Sequence, residues 1–162
     1  MILNRLGHIL DSESWVRGKR RVFRSVIYTS SAAPGLSVRD LDDILAVSRR
    51  NNAGWHLTGV LLFEGGTFLQ VVEGPAWPLA KALSRIQADQ RHSKMDVLSD
   101  YETDRRYFPQ WAMGSRELDG AGAFTLDETE VQKRLAGDTP AVVRVMLKTF
   151  FRVNDRYGAR AA

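Results

Sequence analysis

The sequence predicts an α+β domain whose strands and helices alternate in the order βαββαββ, followed by a pair of C-terminal helices. Short β-branched and aromatic runs alternate with segments whose apolar residues recur every three or four positions, the periods of strands and helices respectively. The chain has 162 residues, of which 44% are hydrophobic, which is enough for one domain with its own core.

The first strand and the first helix follow one another from residue 21. The β-branched and aromatic run 21–28 predicts the strand, which the turn-rich segment 30–35 closes. Ser37 is a suitable N-cap for the helix, and residues 51–54 (Asn-Asn-Ala-Gly) end it.

A hairpin and a second helix come next. The dense apolar runs 57–63 and 67–72 are joined by 64–66 (Glu-Gly-Gly), whose glycines suit a tight turn with positive φ. Pro75 opens the second helix, which ends near the polar cluster 89–92.

Two more strands complete the predicted sheet. Residues 95–101 predict a fourth strand, and Trp111 to Ser115, after Pro109, predict a fifth. This order is that of a ferredoxin-like sheet with both helices on one face.

The flanks divide the chain into three parts. Residues 1–20 are interpreted as an N-terminal extension, 21–118 as the main domain and 119–162 as a C-terminal helical cap. The cap begins with a helix capped by Thr125 or Asp127 and continues with a second helix that Pro140 opens. Its apolar stripe predicts docking on the open sheet face or on a partner.

Composition excludes several classes of protein. The chain has no cysteine, no apolar run long enough for a membrane span and no secretory signal, so we expect a soluble cytoplasmic protein. The net charge of +4 is modest and is interpreted as solvated surface rather than a nucleic-acid interface. The three histidines are far apart, and no catalytic motif is present, so neither a metal site nor an enzyme is predicted.

Amide and hydroxyl groups stand out in otherwise apolar elements. Gln70 interrupts the second hairpin strand, Tyr28 ends the first strand, and Asn51 and Asn52 close the first helix. A buried carboxamide is costly unless it is paired, so together these residues predict a dry pocket that grips a planar, amide-like ligand edge. Taken singly, each has a simpler interpretation: a helix C-terminus, an edge-strand polar residue and a core aromatic.

Six ordered sequence blocks resemble those of BLUF domains, which are flavin-binding blue-light sensors. The blocks are IYTS at 27–30, LDDIL at 41–45 with SRRNN at 48–52, LTGVLLF at 57–63, FLQVVEG at 68–74, IQADQRH at 86–92 and FPQWAMG at 108–114. They span roughly ninety residues, so the resemblance is far more specific than a single motif.

The resemblance implies non-covalently bound FAD between the two helices and the sheet. By position, Tyr28 resembles the family's redox-active tyrosine and Gln70 its switching glutamine, while Asn52 and Arg91 resemble the residues that hold the flavin's pyrimidine ring. Other residues expected on the cofactor side are Ile44, Ser48, Asn51, Ile86, Asp89 and His92. Trp111 and Met113 resemble the pair whose exchange in and out of the core relays the signal.

The resemblance also implies a mechanism and a mode of output. Light drives an electron and a proton from Tyr28 through Gln70, whose amide then changes its hydrogen bonds and shifts the absorption to the red. No effector domain is predicted within the chain, so the signal is expected to pass to an effector or regulator protein in trans, or through a homo-oligomer.

Three other functions compete with this interpretation. An RNA-binding ferredoxin-like module would need exposed aromatics in a basic, glycine-containing block, and none is present. An acylphosphatase-like hydrolase would need a cation beside its phosphate loop, which residues 30–35 do not offer. A domain of this kind that binds flavin without signalling, or that has lost flavin, would have no need of both Tyr28 and Gln70.

Overall fold

The four strands that the structure describes form one antiparallel sheet, and the α+β, ferredoxin-like class is confirmed. This computed structural model describes residues 22–113 and 128–158, so the predicted extension 1–20 lies outside the described residues. The elements are β1 (Phe23–Ala32), α1 (Val38–Gly54), β2 (Thr58–Glu64), β3 (Thr67–Gly74), α2 (Ala76–Gln87), β4 (His92–Thr103), α3 (Glu128–Arg134) and α4 (Ala141–Gly158). The strand order is β2-β3-β1-β4, which places β3 and β1 at the centre.

Local signals account for the start of α1 and for the hairpin. The Ser37 hydroxyl accepts from the backbone N–H of Asp40 at 3.2 Å, and the Asp40 carboxylate accepts from the backbone N–H of Ser37 at 2.8 Å, which completes a capping box. Such a cap contributes about 1 kcal/mol. Gly65 and Gly66 have φ of 54° and 76°, so the predicted hairpin turn is confirmed.

β1 is longer than predicted because a strand pairs with it on each side. Residues 30–32 were expected in a turn, yet Ser31 pairs with Thr67 of β3 and with Ser93 of β4. Ladder partners on both sides outweigh the weak strand preference of serine and alanine. β4 also extends beyond the predicted 95–101 at both ends, because its pairing with β1 runs from His92 to Thr103.

Each face of the sheet packs against a different pair of helices. Because side chains alternate along a strand, Val26 and Tyr28 face α1 and α2, whereas Ile27 faces α3 and α4. The second face shares one buried cluster with apolar residues in α3, just after it and in α4: Val131, Leu135, Val143, Leu147 and Phe150. The C-terminal helices therefore dock on the sheet face opposite the one that α1 and α2 cover.

The predicted fifth strand is wrong for residues 111–113, which lie in bends; residues 114 and 115 are outside the described residues. Trp111 packs in the cluster under α3 and α4, whereas Met113 packs in the cluster under α1. Two residues of one strand that are two positions apart would share a face, whereas Trp111 and Met113 do not. Residues 107–113, the crossing segment, therefore pass from one face of the sheet to the other. A backbone hydrogen bond connects this segment to the β2 edge: Gly59 N–H donates to the Trp111 carbonyl at 2.8 Å.

In the part of the chain that the structure describes, no helix has the length and apolar content needed to cross a bilayer.

Candidate cofactor-binding cleft

A cleft opens between α1, α2 and the first face of the sheet. Every residue that the sequence predicts on the cofactor side lines it: Tyr28, Ile44, Ser48, Asn51, Asn52, Gln70, Ile86, Asp89, Arg91 and His92. Met113 lines it as well, whereas Trp111 does not. The structure thus brings together residues that are up to 85 positions apart in the sequence.

The floor of the cleft is a hydrogen-bonded pair on the two central strands. Tyr28 of β1 and Gln70 of β3 are directly opposite in register, and both are 3% exposed. The Tyr28 hydroxyl donates to Gln70 Oε1. Burial, and to a lesser degree the nearby charge of Asp89, raises the pKa of Tyr28 far above its usual value, so the phenol keeps its proton and acts as the donor.

The second end of the Gln70 amide faces the crossing segment. Gln70 Nε2 donates to the Met113 thioether sulfur at 3.2 Å. The amide therefore presents its acceptor end to Tyr28 and its donor end to Met113. A thioether is a weak acceptor, so the N–H group is available to a better acceptor in the cleft.

Several buried polar atoms of the cleft have no hydrogen-bond partner within the described residues. They are Asn52 Nδ2, Ser30 Oγ and His92 Nδ1. Asn52 is 5% exposed in the last turns of α1, and its backbone carbonyl accepts from Leu57 N–H at 2.9 Å. An unsatisfied buried polar group costs about 1–3 kcal/mol, so these atoms mark where a ligand would hydrogen-bond.

A charged pair lies beyond the end of α2. Arg91 Nε donates to Asp89 Oδ1 at 2.9 Å, and the Arg91 backbone N–H donates to the same oxygen at 3.0 Å. These hydrogen bonds lower the pKa of Asp89, which keeps it ionised. His92 Nε2 donates to the Ile86 carbonyl at 2.6 Å, so Nδ1 is the ring nitrogen left for a ligand in the cleft.

Sequence reasoning missed part of the lining. The additional residues are Ser30, Val47, Trp55, Leu61, Phe68, Ala82 and Arg85. Helical spacing would have found some of them, since Val47 precedes Asn51 by one turn and Ala82 precedes Ile86 by one turn. The Arg85 guanidinium lies 4.5 Å from the centre of the Trp55 ring, a contact between α2 and the end of α1 that no local pattern indicates.

Trp111 lies on the opposite side of the sheet. Its ring is stacked on that of Phe108, with centroids 5.7 Å apart and planes within 8°. The pair predicted to relay a signal is thus divided, with Met113 in the cleft and Trp111 under the C-terminal helices.

Comparisons of the chain with known proteins agree on one family. A family described as "BLUF: Sensors of blue-light using FAD" matches residues 23–114. A photoactivated adenylate cyclase subunit beta from Euglena gracilis is 32% identical over 92 residues, which are 56% of this chain and 11% of that protein. The blue light- and temperature-regulated antirepressor BluF of Escherichia coli is 31% identical over 51% of this chain and 21% of its own length.

A solved structure extends the likeness beyond the sheet and its first two helices. Klebsiella pneumoniae BlrP1, determined with FMN and cyclic diGMP, superposes with a TM-score of 0.65 at 28% identity. The match covers 83% of this chain and 36% of BlrP1. The chain thus corresponds to a minor part of each of these three proteins.

Proposed function

Because the chain belongs to the BLUF family of blue-light sensors that use FAD, we propose that Tyr28 and Gln70 form the light-operated switch of a photoreceptor. The observation that carries this proposal is the buried hydrogen bond from the Tyr28 hydroxyl to Gln70 Oε1 on the floor of the cleft. Two ends of one amide, one acceptor and one donor, offer two different hydrogen-bonding arrangements in the same space.

The donor set of the cleft fits a flavin. The pyrimidine edge of a flavin presents an N–H group between two carbonyls, and a carboxamide carries both matching functions. The free Nδ2 of buried Asn52 supports its assignment to that edge, with Arg91 at the adjacent carbonyl. Ile44 and Ile86 would form the apolar walls, and the remaining contacts would come from Ser48, Asn51, Asp89 and His92.

The chain's own residues supply the switching step. Bound FAD provides the absorption of blue light and a strong one-electron oxidant in its excited state. With FAD bound, Tyr28 would give an electron to that oxidant, and its hydroxyl proton would pass along the existing hydrogen bond to Gln70 Oε1. After the electron and the proton had returned to Tyr28, the Gln70 amide would stay in its second arrangement. The changed hydrogen bond, worth about 0.5–1.5 kcal/mol, lowers the excited state more than the ground state and moves absorption to the red.

The contact between Gln70 and Met113 offers a route by which the light signal leaves the cleft. In the described arrangement an N–H group faces the Met113 sulfur. A rotated amide would present its oxygen there, and two electron-rich atoms repel each other, so Met113 would move. Trp111, two residues away, would transmit that movement to the cluster shared with α3 and α4.

We infer that the output goes to an effector or regulator protein in trans, with a homo-oligomer as the signalling unit. Two relatives, a cyclase subunit and an antirepressor, are far longer than the matched region, which supports a sensory domain that acts on a separate output unit. The domain itself is assigned a sensory rather than a catalytic role. The outer surface of α3 and α4 is the proposed contact surface, because these helices share a core with Trp111.

The purified protein is expected to be yellow and to respond reversibly to blue light. Illumination should shift the flavin absorption slightly to the red without bleaching it, and the shift should reverse in the dark, because only hydrogen bonds change. Absorption spectra before, during and after illumination measure this. Irreversible bleaching, or a bound flavin with no shift, would contradict the proposed switch.

Replacement of Asn52 by alanine is expected to weaken flavin binding. Loss of its paired hydrogen bonds should lower the affinity about tenfold, since each contributes about 0.5–1.5 kcal/mol. Titration of the flavin-free protein with FAD, followed by fluorescence, gives the dissociation constant. The matched control is Gln87→Ala, which removes an exposed carboxamide at the end of α2 and should leave the affinity unchanged. Equal affinities for Asn52→Ala and the unaltered protein would remove Asn52 from the site.

A further inference from the structure

A buried carboxylate outside the cleft has no part in the function described above. Glu73, near the end of β3, is 0% exposed. It lies three positions from Gln70, so its side chain points to the face of the sheet that α3 and α4 cover. An apolar residue would fill this position at lower cost, because burying a charge is unfavourable unless it is well paired.

The pairing of Glu73 is to the backbone of a distant segment. Glu73 Oε2 accepts from Tyr107 N–H at 2.9 Å, and Oε1 accepts from Phe108 N–H at 2.6 Å. Burial raises the pKa of Glu73, whereas these two N–H groups favour its ionised form. A carboxylate is the side chain that offers an acceptor to both amides at once.

Arg106 reinforces the same junction. Its guanidinium donates to the Glu73 backbone carbonyl at 3.3 Å, to Thr58 Oγ1 at 2.9 Å and to the His56 carbonyl at 2.6 Å. The start of the crossing segment is therefore fixed to the adjoining ends of β2 and β3.

A chain of contacts connects Glu73 to the cleft through the crossing segment. Trp111 N–H donates to the Phe108 carbonyl at 3.2 Å, and the two rings stack. Gly59 N–H then holds the Trp111 carbonyl at the edge of β2. The segment ends with the Met113 sulfur on Gln70 Nε2, so β3 holds one end through Glu73 and the other through Gln70.

We propose that Glu73 is a positioning residue of the photoswitch: by binding the amides of Tyr107 and Phe108 it holds the crossing segment so that Met113 contacts Gln70. This proposal rests on the proposed function, since the position of Met113 matters for signalling only if Gln70 is the light-operated switch. Gln70 alone cannot hold Met113, because an N–H to sulfur contact is weak. The stronger bonds to a buried carboxylate determine where the segment runs.

The test compares Glu73→Gln with the unaltered FAD-loaded protein in the dark. A carboxamide offers one acceptor instead of two, so the amide of Tyr107 or Phe108 should exchange its hydrogen at least about tenfold faster. The methyl resonance of Met113, identified by its loss in Met113→Leu, should move toward its position in Gln70→Leu, where the contact to nitrogen is absent. Glu64→Gln, on the exposed end of β2, is the matched control and should change neither reading.

Unchanged exchange at both amides together with an unmoved Met113 methyl in Glu73→Gln would overturn the proposal. A purely structural role for Glu73 would lower stability without moving the Met113 resonance of the folded, flavin-loaded protein, and this result too would overturn it. If Glu73→Gln fails to fold, the measurement is made on the unaltered protein. Hydrogen exchange of the Tyr107 and Phe108 amides at the rate of amides without hydrogen bonds would then refute the proposed role of Glu73. These dark measurements do not depend on the light response, so a protein with no red shift would refute the proposed function alone.

Discussion

Replacement of Gln70 by leucine is expected to leave FAD bound and to abolish the light-induced red shift. Leucine fills a similar volume but has no second hydrogen-bonding arrangement to adopt, so the excited flavin returns to the starting state. Tyr28 would lose its acceptor, and a buried unpaired hydroxyl costs about 1–3 kcal/mol, so a modest fall in the midpoint of thermal unfolding should accompany the loss. A difference spectrum under blue light measures the first effect, and thermal unfolding measures the second.

The matched control for Gln70→Leu is Gln87→Leu, which makes the same substitution at an exposed position outside the cleft. This variant should keep a red shift of full size. A full red shift in Gln70→Leu would remove the amide from the mechanism, and loss of bound flavin would assign Gln70 to cofactor binding instead of switching.

Most of the cleft was predictable because most of its residues lie on regular elements; Asp89, Arg91 and Met113 lie outside them. Ile44 and Ser48 are one helical turn apart, and Asn52 follows after one more, so α1 must present them on one face. Tyr28 and Gln70 lie at mid-strand positions whose side chains alternate in direction, and the hairpin and crossover connections make their strands neighbours. Periodicity thus assembles the cleft, while the roles of its residues came from the family resemblance.

The crossing segment was not predictable in the same way. The aromatic and apolar residues from Trp111 onward have the composition of a strand, and composition alone favours that interpretation. The path is set instead by contacts distant in sequence: the carboxylate of Glu73 and the backbone N–H of Gly59. Glu73 itself has the sequence appearance of a polar strand end, because nothing local indicates that amides 34 and 35 positions later will bind it.

Replacement of Tyr28 by phenylalanine is expected to abolish the light response while flavin remains bound. A phenyl ring keeps the packing of β1 but has neither the hydroxyl proton nor the low oxidation potential of a phenol. The excited state should then persist longer, so the fluorescence of the bound flavin should rise as the red shift disappears. Steady-state flavin fluorescence and the blue-light difference spectrum measure the two effects on the same sample.

Tyr101→Phe provides the matched control, because Tyr101 is a second tyrosine whose pKa burial raises, on β4. It packs against the cluster under α3 and α4 instead of lining the cleft, so its hydroxyl has no path to Gln70. The two variants each lose one tyrosine hydroxyl from the same sheet, but only the hydroxyl lost in Tyr28→Phe contacts the Gln70 amide. A red shift of full size in Tyr28→Phe would exclude Tyr28 as the donor. A red shift kept in Tyr101→Phe and lost in Tyr28→Phe would identify the phenol that faces Gln70 as the source of the electron and the proton.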